Sequence, residues 1–203
     1  MKPTVVKLGG SFARYPRLAD VIRALEKGAG RAVIVPGGGP FADSVRREQK
    51  RIGFDDHAAH RMALLAMAAF GTMLASFSPA LRPAASLAAI RRALAEGAAP
   101  VWLPLDLLDG NADVPESWDM TSDSLAAWLA GRLKASRLIF LKRATPAATK
   151  AASLVAAGVL DPLAPHFLAA TKAEAWLCGP RDIARLGKAL AEGSEIGRRI
   201  EVA

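Results

Sequence analysis

The chain has 203 residues, of which 52% are hydrophobic and 23% charged, so it is neither disordered nor collagen-like and can bury a sizeable core. We predict a single domain over residues 1–203. Lysine and arginine number 27 against 19 acidic residues, and the net charge of +8 favours an anionic partner. Aromatic residues make up only 6% and the arginines are scattered, which argues against a nucleic-acid partner.

The single cysteine, Cys178, excludes an internal disulfide and a cysteine-rich zinc site, and the first residues lack the apolar core of a signal peptide. We therefore expect a cytoplasmic protein. Residues 62–81 carry no charge and approach the length of a membrane span. Glycine, serine and proline dilute this alanine-rich run, which favours a buried or subunit-interface helix, no membrane association, and a homo-oligomer, dimeric or larger.

Short β-branched apolar runs alternate with longer helical patterns, which is typical of βαβ units around a parallel sheet. The predicted strands cover residues 4–8, 32–35, 99–103, 137–141, 174–178 and, weakly, 199–202. The predicted helices cover residues 16–27, 41–52, 57–77, 86–95, 122–133 and 181–191, and residues 144–165 mix helix and turn signals. The predicted fold is α/β, a three-layer α/β/α sandwich with a mainly parallel open sheet, which binds ligands at the carboxyl ends of its strands.

The first predicted strand ends in a lysine and a glycine turn, in the sequence VVKLGGS. Gly9 and Gly10 have no Cβ, so consecutive backbone N–H groups can face an anion there, and Ser11 adds a hydroxyl. Lys7 supplies a mobile positive charge for a phosphoryl group. The motif therefore suggests phosphate binding, although a plain strand followed by a turn has the same letters.

The second predicted strand runs into Gly37, Gly38 and Gly39 and then into a helix. The letters also fit a dinucleotide-binding fingerprint, but the acid that should end a second parallel strand, Asp55 or Asp56, instead follows a basic helix. That helix carries four basic residues on one side, which indicates a solvated face or an edge that contacts phosphate. These residues are Arg46, Arg47, Lys50 and Arg51.

Other catalytic motifs are absent from the sequence. There is no P-loop, no H-E-x-x-H and no G-x-S-x-G pattern, so P-loop and common hydrolase mechanisms are not supported. The three histidines, His57, His60 and His166, are too few and too isolated from acids to suggest a metal centre. We predict no residue that ligates a metal directly.

A third polar motif, SWDMTSDSLA at residues 117–126, opens an amphipathic helix. Thr121, Ser122, Asp123 and Ser124 are more than one helix cap requires. The excess predicts that Asp123 faces a cation at the edge of the sheet, for which Lys7 is the natural candidate.

In this order and spacing, KLGGS, VPGGGPFADSVR and TSDSLA resemble the amino acid kinase superfamily, which includes acetylglutamate, aspartate, uridylate, carbamate and isopentenyl phosphate kinases. The resemblance covers about the first 140 residues. The short chain, the S-W-D-x-T-S-D-S-L-A stretch and the pair His60-Arg61 most resemble the subgroup of (aminomethyl)furan-methyl phosphate kinases of methanofuran biosynthesis.

The resemblance implies an enzyme that uses ATP and Mg²⁺ to phosphorylate a small phosphorylated acceptor. It implies that Lys7 contacts the transferring phosphoryl group and that Asp123 orients this lysine. The implied ATP and phosphate ligands are Gly9, Gly10, Ser11, Thr121, Ser122 and Lys142. The implied acceptor ligands are Gly37, Gly38, Gly39, His60 and Asp119.

The sequence departs from the family after the fifth predicted helix. Most members have a T-D-V-D-G-type loop there and a later glycine-rich stretch with a second lysine, whereas this chain reads LKRATP. Lys142 or Arg143 could substitute for that lysine.

The expected substrate is (aminomethyl)furan-methyl phosphate, converted to its diphosphate, and Asp119 or Asp161 could bind the ammonium group. The alternatives are a kinase for another small phosphate or carboxylate acceptor, such as a nucleoside monophosphate or isopentenyl phosphate, and a non-catalytic ligand-binding protein of the same fold.

Overall fold

The computed structural model describes residues 2–202. Within them, seven strands form one sheet in the order β3-β4-β2-β1-β5-β6-β7, in which every pairing is parallel except that of β6 with β7. The strands are β1 (Thr4–Leu8), β2 (Ala32–Pro36), β3 (Leu81–Ala84), β4 (Ala99–Trp102), β5 (Arg137–Leu141), β6 (Glu174–Cys178) and β7 (Arg198–Arg199). The prediction of a mainly parallel open sheet is confirmed.

Helices cover both faces of this sheet, as predicted. They are α1 (Leu18–Glu26), α2 (Gly39–Ile52), α3 (Asp56–Ala75), α4 (Leu87–Ala95), α5 (Leu105–Leu108), α6 (Ser122–Leu133), α7 (Ala151–Ala156), α8 (Ala164–Ala170) and α9 (Ile183–Glu192). Short 3₁₀ turns cover Gly10–Arg14 and Pro180–Asp182.

The two faces of the sheet have separate apolar cores because successive strand residues point in opposite directions. Val5 belongs to the cluster that includes residues of α6 and α8, whereas Val6 belongs to the cluster that includes residues of α1 and α9. Strands β1, β2 and β5 are buried throughout, so their sequences are mostly apolar, with Lys7 and Arg137 as buried charged residues.

Three parts of the fold differ from the sequence-based prediction. Strand β3 was not predicted, because LRPA contains Pro83 and exposes its two middle residues; it lies at the edge of the sheet, where proline is tolerated. The predicted strand at 199–202 lies instead at Arg198–Arg199, with a separate bridge between Lys150 and Glu201. Helices α7 and α8 occupy the segment whose signals were mixed.

Helix α3 contains most of the uncharged run that could also suit a membrane span by length and composition. In the structure it packs against α2 and against strands β2, β3 and β4. Leu64, Phe70 and Leu74 are buried in these contacts, while Leu65 remains 47% exposed. Helix α3 is therefore built into the core on one side and presents apolar side chains on the other.

The order of the strands reverses at β1. Strand β2 lies on one side of β1 and is followed by β4, whereas β5 lies on the other side of β1 and is followed by β6. Ligands of open α/β sheets bind outside the carboxyl ends of the strands at such a point. Lys7 near the end of β1 and Lys142 just after β5 are both located there.

Candidate active site

The loops that follow β1 and β2 lie backbone against backbone. A Cβ on Gly10 would lie 2.3 Å from the backbone nitrogen of Gly39, and a Cβ on Gly37 would lie 2.5 Å from the nitrogen of Gly10. Gly39 has a φ of +54°, in the left-handed region that favours glycine. Side chains at these positions would push the loops apart, which explains the glycines.

Asp123 joins two lysines at the carboxyl ends of β1 and β5. The Nζ atom of Lys7 is 2.7 Å from Oδ1 of Asp123, and the Nζ atom of Lys142 is 2.6 Å from Oδ2. The side chains of Lys7 and Asp123 are only 4% and 5% exposed, and that of Lys142 is 15% exposed. Two cations on one buried carboxylate leave an excess positive charge that can meet an anion.

The three charges shift one another's titration. Burial lowers the pKa of Lys7 from 10.5 to about 8; Lys142 adds to this effect, and Asp123 opposes it. Burial disfavours the charged form of Asp123, but the two ammonium groups outweigh it and hold the pKa of this carboxyl below its usual value. Lys7 therefore loses its proton at a lower pH than an exposed lysine.

Asp161 fixes the start of helix α6 and thereby the position of Asp123. Its Oδ2 atom accepts hydrogen bonds from the backbone N–H groups of Thr121 and Ser124, at 3.0 and 3.1 Å, and from the Thr121 hydroxyl at 2.9 Å. Its Oδ1 atom accepts from the Ser124 hydroxyl. Because Asp161 is buried and occupied as a helix cap, it does not serve as the ammonium ligand suggested by the sequence.

A cavity of about 270 Å³ opens between the glycine loops, helix α3 and the segment before α6. Its lining contains four residues that the sequence analysis selected as ATP and phosphate ligands and four that it selected as acceptor ligands, so the two predicted sets meet in one cavity. These residues are Gly10, Ser11, Gly37, Gly38, Gly39, His60, Thr121 and Ser122. Leu64, Met67 and Leu125 give the same cavity an apolar surface.

Part of the cavity wall is a hydrogen-bonded chain that the sequence analysis missed. The Trp118 indole donates to Oε1 of Gln49 at 2.6 Å, and Nε2 of Gln49 donates to Oδ1 of Asp56 at 2.8 Å. The Arg46 guanidinium lies 4.3 Å from the centre of the Trp118 ring. Arg46, Asp56 and Trp118 line the cavity, as does Asp43. The signal in the sequence was helical spacing, because residues 39, 42, 43 and 46 share one side of α2.

His60 is the buried member of the predicted acceptor ligands. It is 7% exposed, and among residues 2–202 its buried Nε2 atom has no hydrogen-bond partner. Burial lowers its pKa, although Glu116 and Asp109 act in the opposite direction. A buried ring nitrogen without a partner is costly unless a ligand satisfies it.

Two predicted ligands occupy other positions. Asp119 is exposed and does not line the cavity, while its backbone carbonyl accepts from the N–H of Leu163 at 3.1 Å. The N–H of Gly9 donates to the carbonyl of Leu141 at 2.9 Å, so this glycine links β1 to β5. Neither group is placed to contact a ligand in the cavity directly.

On the other side of the two lysines, a second hollow of about 570 Å³ lies at the carboxyl ends of β5 and β6. Arg143, Arg181 and Arg198 contribute to its lining, together with Thr145 and Gly179. Along the edge of the sheet, Asp123 and its two lysines at β1 and β5 therefore lie between the cavity beside β2 and the hollow beside β6.

Residues 2–145 match the sequence profile of the amino acid kinase family, and the chain belongs to this family. The chain is also 27% identical over 137 residues to the [5-(aminomethyl)furan-3-yl]methyl phosphate kinase of Methanocaldococcus jannaschii. That alignment covers 66% of this chain and 63% of the relative, so less than two thirds of the relative's length is matched.

Solved structures with the same fold include uridylate kinases. The uridylate kinase of Archaeoglobus fulgidus superimposes with a TM-score of 0.71 at 18% identity, covering 99% of this chain and 100% of that one. The UMP kinase of Bacillus anthracis gives a TM-score of 0.69 at 15% identity, covering 99% and 96% of the two chains. At these identities the likeness establishes the fold alone.

Proposed function

We propose that the protein is an ATP-dependent kinase that transfers the γ-phosphoryl group of ATP to the phosphate of (aminomethyl)furan-methyl phosphate, giving a diphosphate and ADP. The observation that carries this proposal is the buried Asp123 carboxylate held between Lys7 and Lys142, at 2.7 and 2.6 Å. Phosphoryl transfer needs mainly positioning and charge neutralisation, which fixed cations and backbone N–H groups supply.

The acceptor phosphate fits the cavity formed by the glycine loops. Helix α2 begins there at Gly39 without a side-chain cap; Pro40 has no N–H, so the N–H groups of Gly39 and Phe41 are the ones that can bind an anion. The unpartnered Nε2 of His60 and the guanidinium of Arg46 line the same space. The cavity volume of about 270 Å³ lies near the lower end of the usual range of about 300–1,000 Å³ for ligand pockets, which suits a small acceptor.

ATP fits the hollow on the opposite side of the lysines, where three arginines and the loops after β5 and β6 lie. Its γ-phosphate would then reach Lys7 and Lys142 between the two concave surfaces. Residues 2–202 contain no group of three His, Cys, Asp or Glu side chains suited to a metal ion. Mg²⁺ would therefore be held mainly by the nucleotide phosphates, where it neutralises part of their charge.

In the proposed reaction an oxygen of the acceptor phosphate forms a bond to the γ-phosphorus. The bond from that phosphorus to the oxygen bridging it to the β-phosphorus breaks, and ADP takes the electron pair. The second pKa of a phosphate monoester is about 6, so the attacking oxygen is ionised near pH 7 without a general base. Lys7 and Lys142 offset the negative charge of the phosphoryl oxygens, and Asp123 keeps both ammonium groups in position.

The test is ADP release by the purified protein with Mg·ATP and three acceptors: the aminomethylfuran phosphate, uridine monophosphate and isopentenyl phosphate. We expect turnover with the furan phosphate and its loss in Lys7→Ala. His60→Ala should raise the KM for the acceptor much more than the KM for ATP, and equal changes would contradict its assignment. Turnover with another acceptor alone would replace the substrate.

The non-catalytic alternative predicts no response to ATP. A kinase with ATP at 100 times its Kd gains about 2.7 kcal/mol of stability, which a thermal unfolding assay detects. No turnover together with no stabilisation by ATP would favour a ligand-binding protein of the same fold.

We also propose that the protein forms a homodimer or larger assembly through α2 and α3. Ile52, Met62 and Leu65 are 61%, 39% and 47% exposed, and Phe77 just beyond α3 is 57% exposed. Apolar side chains gathered on one packed helix pair favour burial against a second copy. Light scattering at micromolar concentration tests this, and a monomer would contradict it.

A further inference from the structure

The cavity proposed for the acceptor carries negative as well as positive charge. Asp43 on α2 and Asp56 at the start of α3 line it together with Arg46 and His60. A ligand with only phosphate charge would be repelled by two carboxylates in the space that binds it. The lining therefore suits a ligand that carries a positive group as well as a phosphate.

Both carboxylates keep capacity to accept hydrogen bonds. Arg46 lies one helical turn from Asp43 but is placed over the Trp118 ring. Among residues 2–202 Asp43 has no ion-pair partner. Asp56 accepts from Nε2 of Gln49 through Oδ1, which leaves Oδ2 available. An ionised carboxylate offers about four lone-pair positions, so each can still bind an ammonium N–H.

A second observation marks the same cavity as a ligand site. His60 is 93% buried, and its Nε2 atom has no hydrogen-bond partner within residues 2–202. Leu64 and Met67, from the next turns of α3, present apolar surface beside it. The cavity thus combines an unsatisfied buried polar atom, an apolar surface and two carboxylates.

We propose that Asp43 and Asp56 bind the ammonium group of a zwitterionic acceptor, whose phosphate lies on the glycine loops and whose apolar body lies on Leu64 and Met67. This inference rests on the proposed function and names the feature that selects its substrate class, a primary amine joined to a phosphate. Gln49 acts as a positioning residue, because it holds Asp56 and Trp118 together. Asp119 and Asp161, the acids that the sequence suggested, have no such place.

The experiment measures acceptor binding by calorimetry, without ATP, so that it is independent of turnover. The two probes are the aminomethylfuran phosphate and its analogue with a methyl group in place of the aminomethyl group. We expect the wild-type protein to bind the amine more tightly than the analogue by about 10- to 100-fold. Asp43→Asn and Asp56→Asn should each reduce this ratio, by weakening binding of the amine and, through relief of repulsion, by slightly strengthening binding of the analogue. The double variant should bring the ratio close to one.

Asp113→Asn is the matched control. Asp113 is an exposed carboxylate on the loop before α6, outside the cavity lining, and its replacement should leave the ratio unchanged. Thermal unfolding of each variant checks that the fold is kept. Equal affinity of the wild-type protein for the two probes, or equal loss of both in the aspartate variants, would overturn the inference. If the wild-type protein shows no turnover with Mg·ATP but still binds the amine more tightly than the analogue, the proposed kinase activity is wrong and the ammonium site stands.

Discussion

The charge of Lys7 predicts how the proposed activity depends on pH. Burial, with Lys142 adding to its effect, lowers the pKa of Lys7 to about 8. Lys7 is therefore charged below this pH and loses its charge above it. Because the cation neutralises the transferring phosphoryl group, kcat/KM for ATP should fall as the pH rises through about 8.

We call the pH at which kcat/KM begins to fall the break. Replacing Lys142 by methionine should move this break to higher pH. The two ammonium groups contact the two oxygens of the Asp123 carboxylate at 2.7 and 2.6 Å, and Lys142 is one of the causes that lower the pKa of Lys7. Unit charges a few ångströms apart repel by on the order of 2–3 kcal/mol at an effective dielectric constant of about 20. A change of about 1.4 kcal/mol corresponds to one pH unit, so removing Lys142 should raise the break by about one to two pH units. The same variant should lower kcat by about 10²–10³, because one stabilising cation is lost.

The assay is ADP release at subsaturating ATP between pH 6.5 and about 10. Lys172→Met, which removes an exposed lysine far from the site, should keep the break of the wild-type protein. Lys7→Arg should remove the break, since arginine stays protonated over this range. If the wild-type protein shows no break near pH 8, or if Lys142→Met leaves it in place, the reasoning about these coupled charges is wrong.

Further predictions concern pH stability, the glycine contact and the cap of α6. The pKa of Lys7 is lower in the folded protein than the ordinary 10.5, so the unfolded chain binds more protons between these values, and Lys7 should make stability rise with pH from about 8 to 10.5, as measured by urea unfolding. Gly10→Ala should destabilise the protein and abolish ADP release, because its Cβ would lie 2.3 Å from the nitrogen of Gly39; Gly131→Ala, with open space around it, should instead raise stability by about 0.5–1 kcal/mol in the same assay. Asp161→Ala should lower the unfolding free energy by about 2–4 kcal/mol, because four donors lose their acceptor, and an unchanged Tm would contradict this role.

The sequence could predict the central strands because their burial is complete. β1, β2 and β5 are buried on both faces, so their sequences are mostly apolar, with Lys7 in β1 and Arg137 in β5 as the charged exceptions, and each strand is followed by a glycine or a charged residue. Strand β3 gave no such signal, because an edge strand of four residues with a proline has few positions that must be apolar. Helices α7 and α8 are short, and their alanine-rich sequences do not show a clear helical period.

Some polar residues of the site could be predicted from the sequence and others could not. The pairing of Lys7 with Asp123 could be predicted, because Lys7 lies in the motif that ends β1 and Asp123 lies in the polar motif that opens α6. The positions of Asp43 and Asp56 could not, because each is one exposed acid on a helix surface and only the packing of α2 against α3 makes them neighbours of His60. Asp161 looked like a free acid because its four donors lie about 40 residues earlier in the chain.

The pairing of β1 with β5 explains the position of Lys142, which no sequence motif marks. Leu8 pairs with Leu141, so the residues that follow these two strands, Gly9 and Lys142, emerge side by side. A Cβ on Gly9 would lie 3.2 Å from the carbonyl oxygen of Leu141, so the glycine lets the two strand ends lie close together. From this position the Nζ atom of Lys142 reaches Oδ2 of Asp123 at 2.6 Å. We propose that Lys142, just after β5, takes the place of the second lysine that the sequence analysis expected in a later glycine-rich stretch. With Lys142 in that role, the altered loop keeps two cations beside Asp123, and this supports the proposed kinase over the non-catalytic alternative.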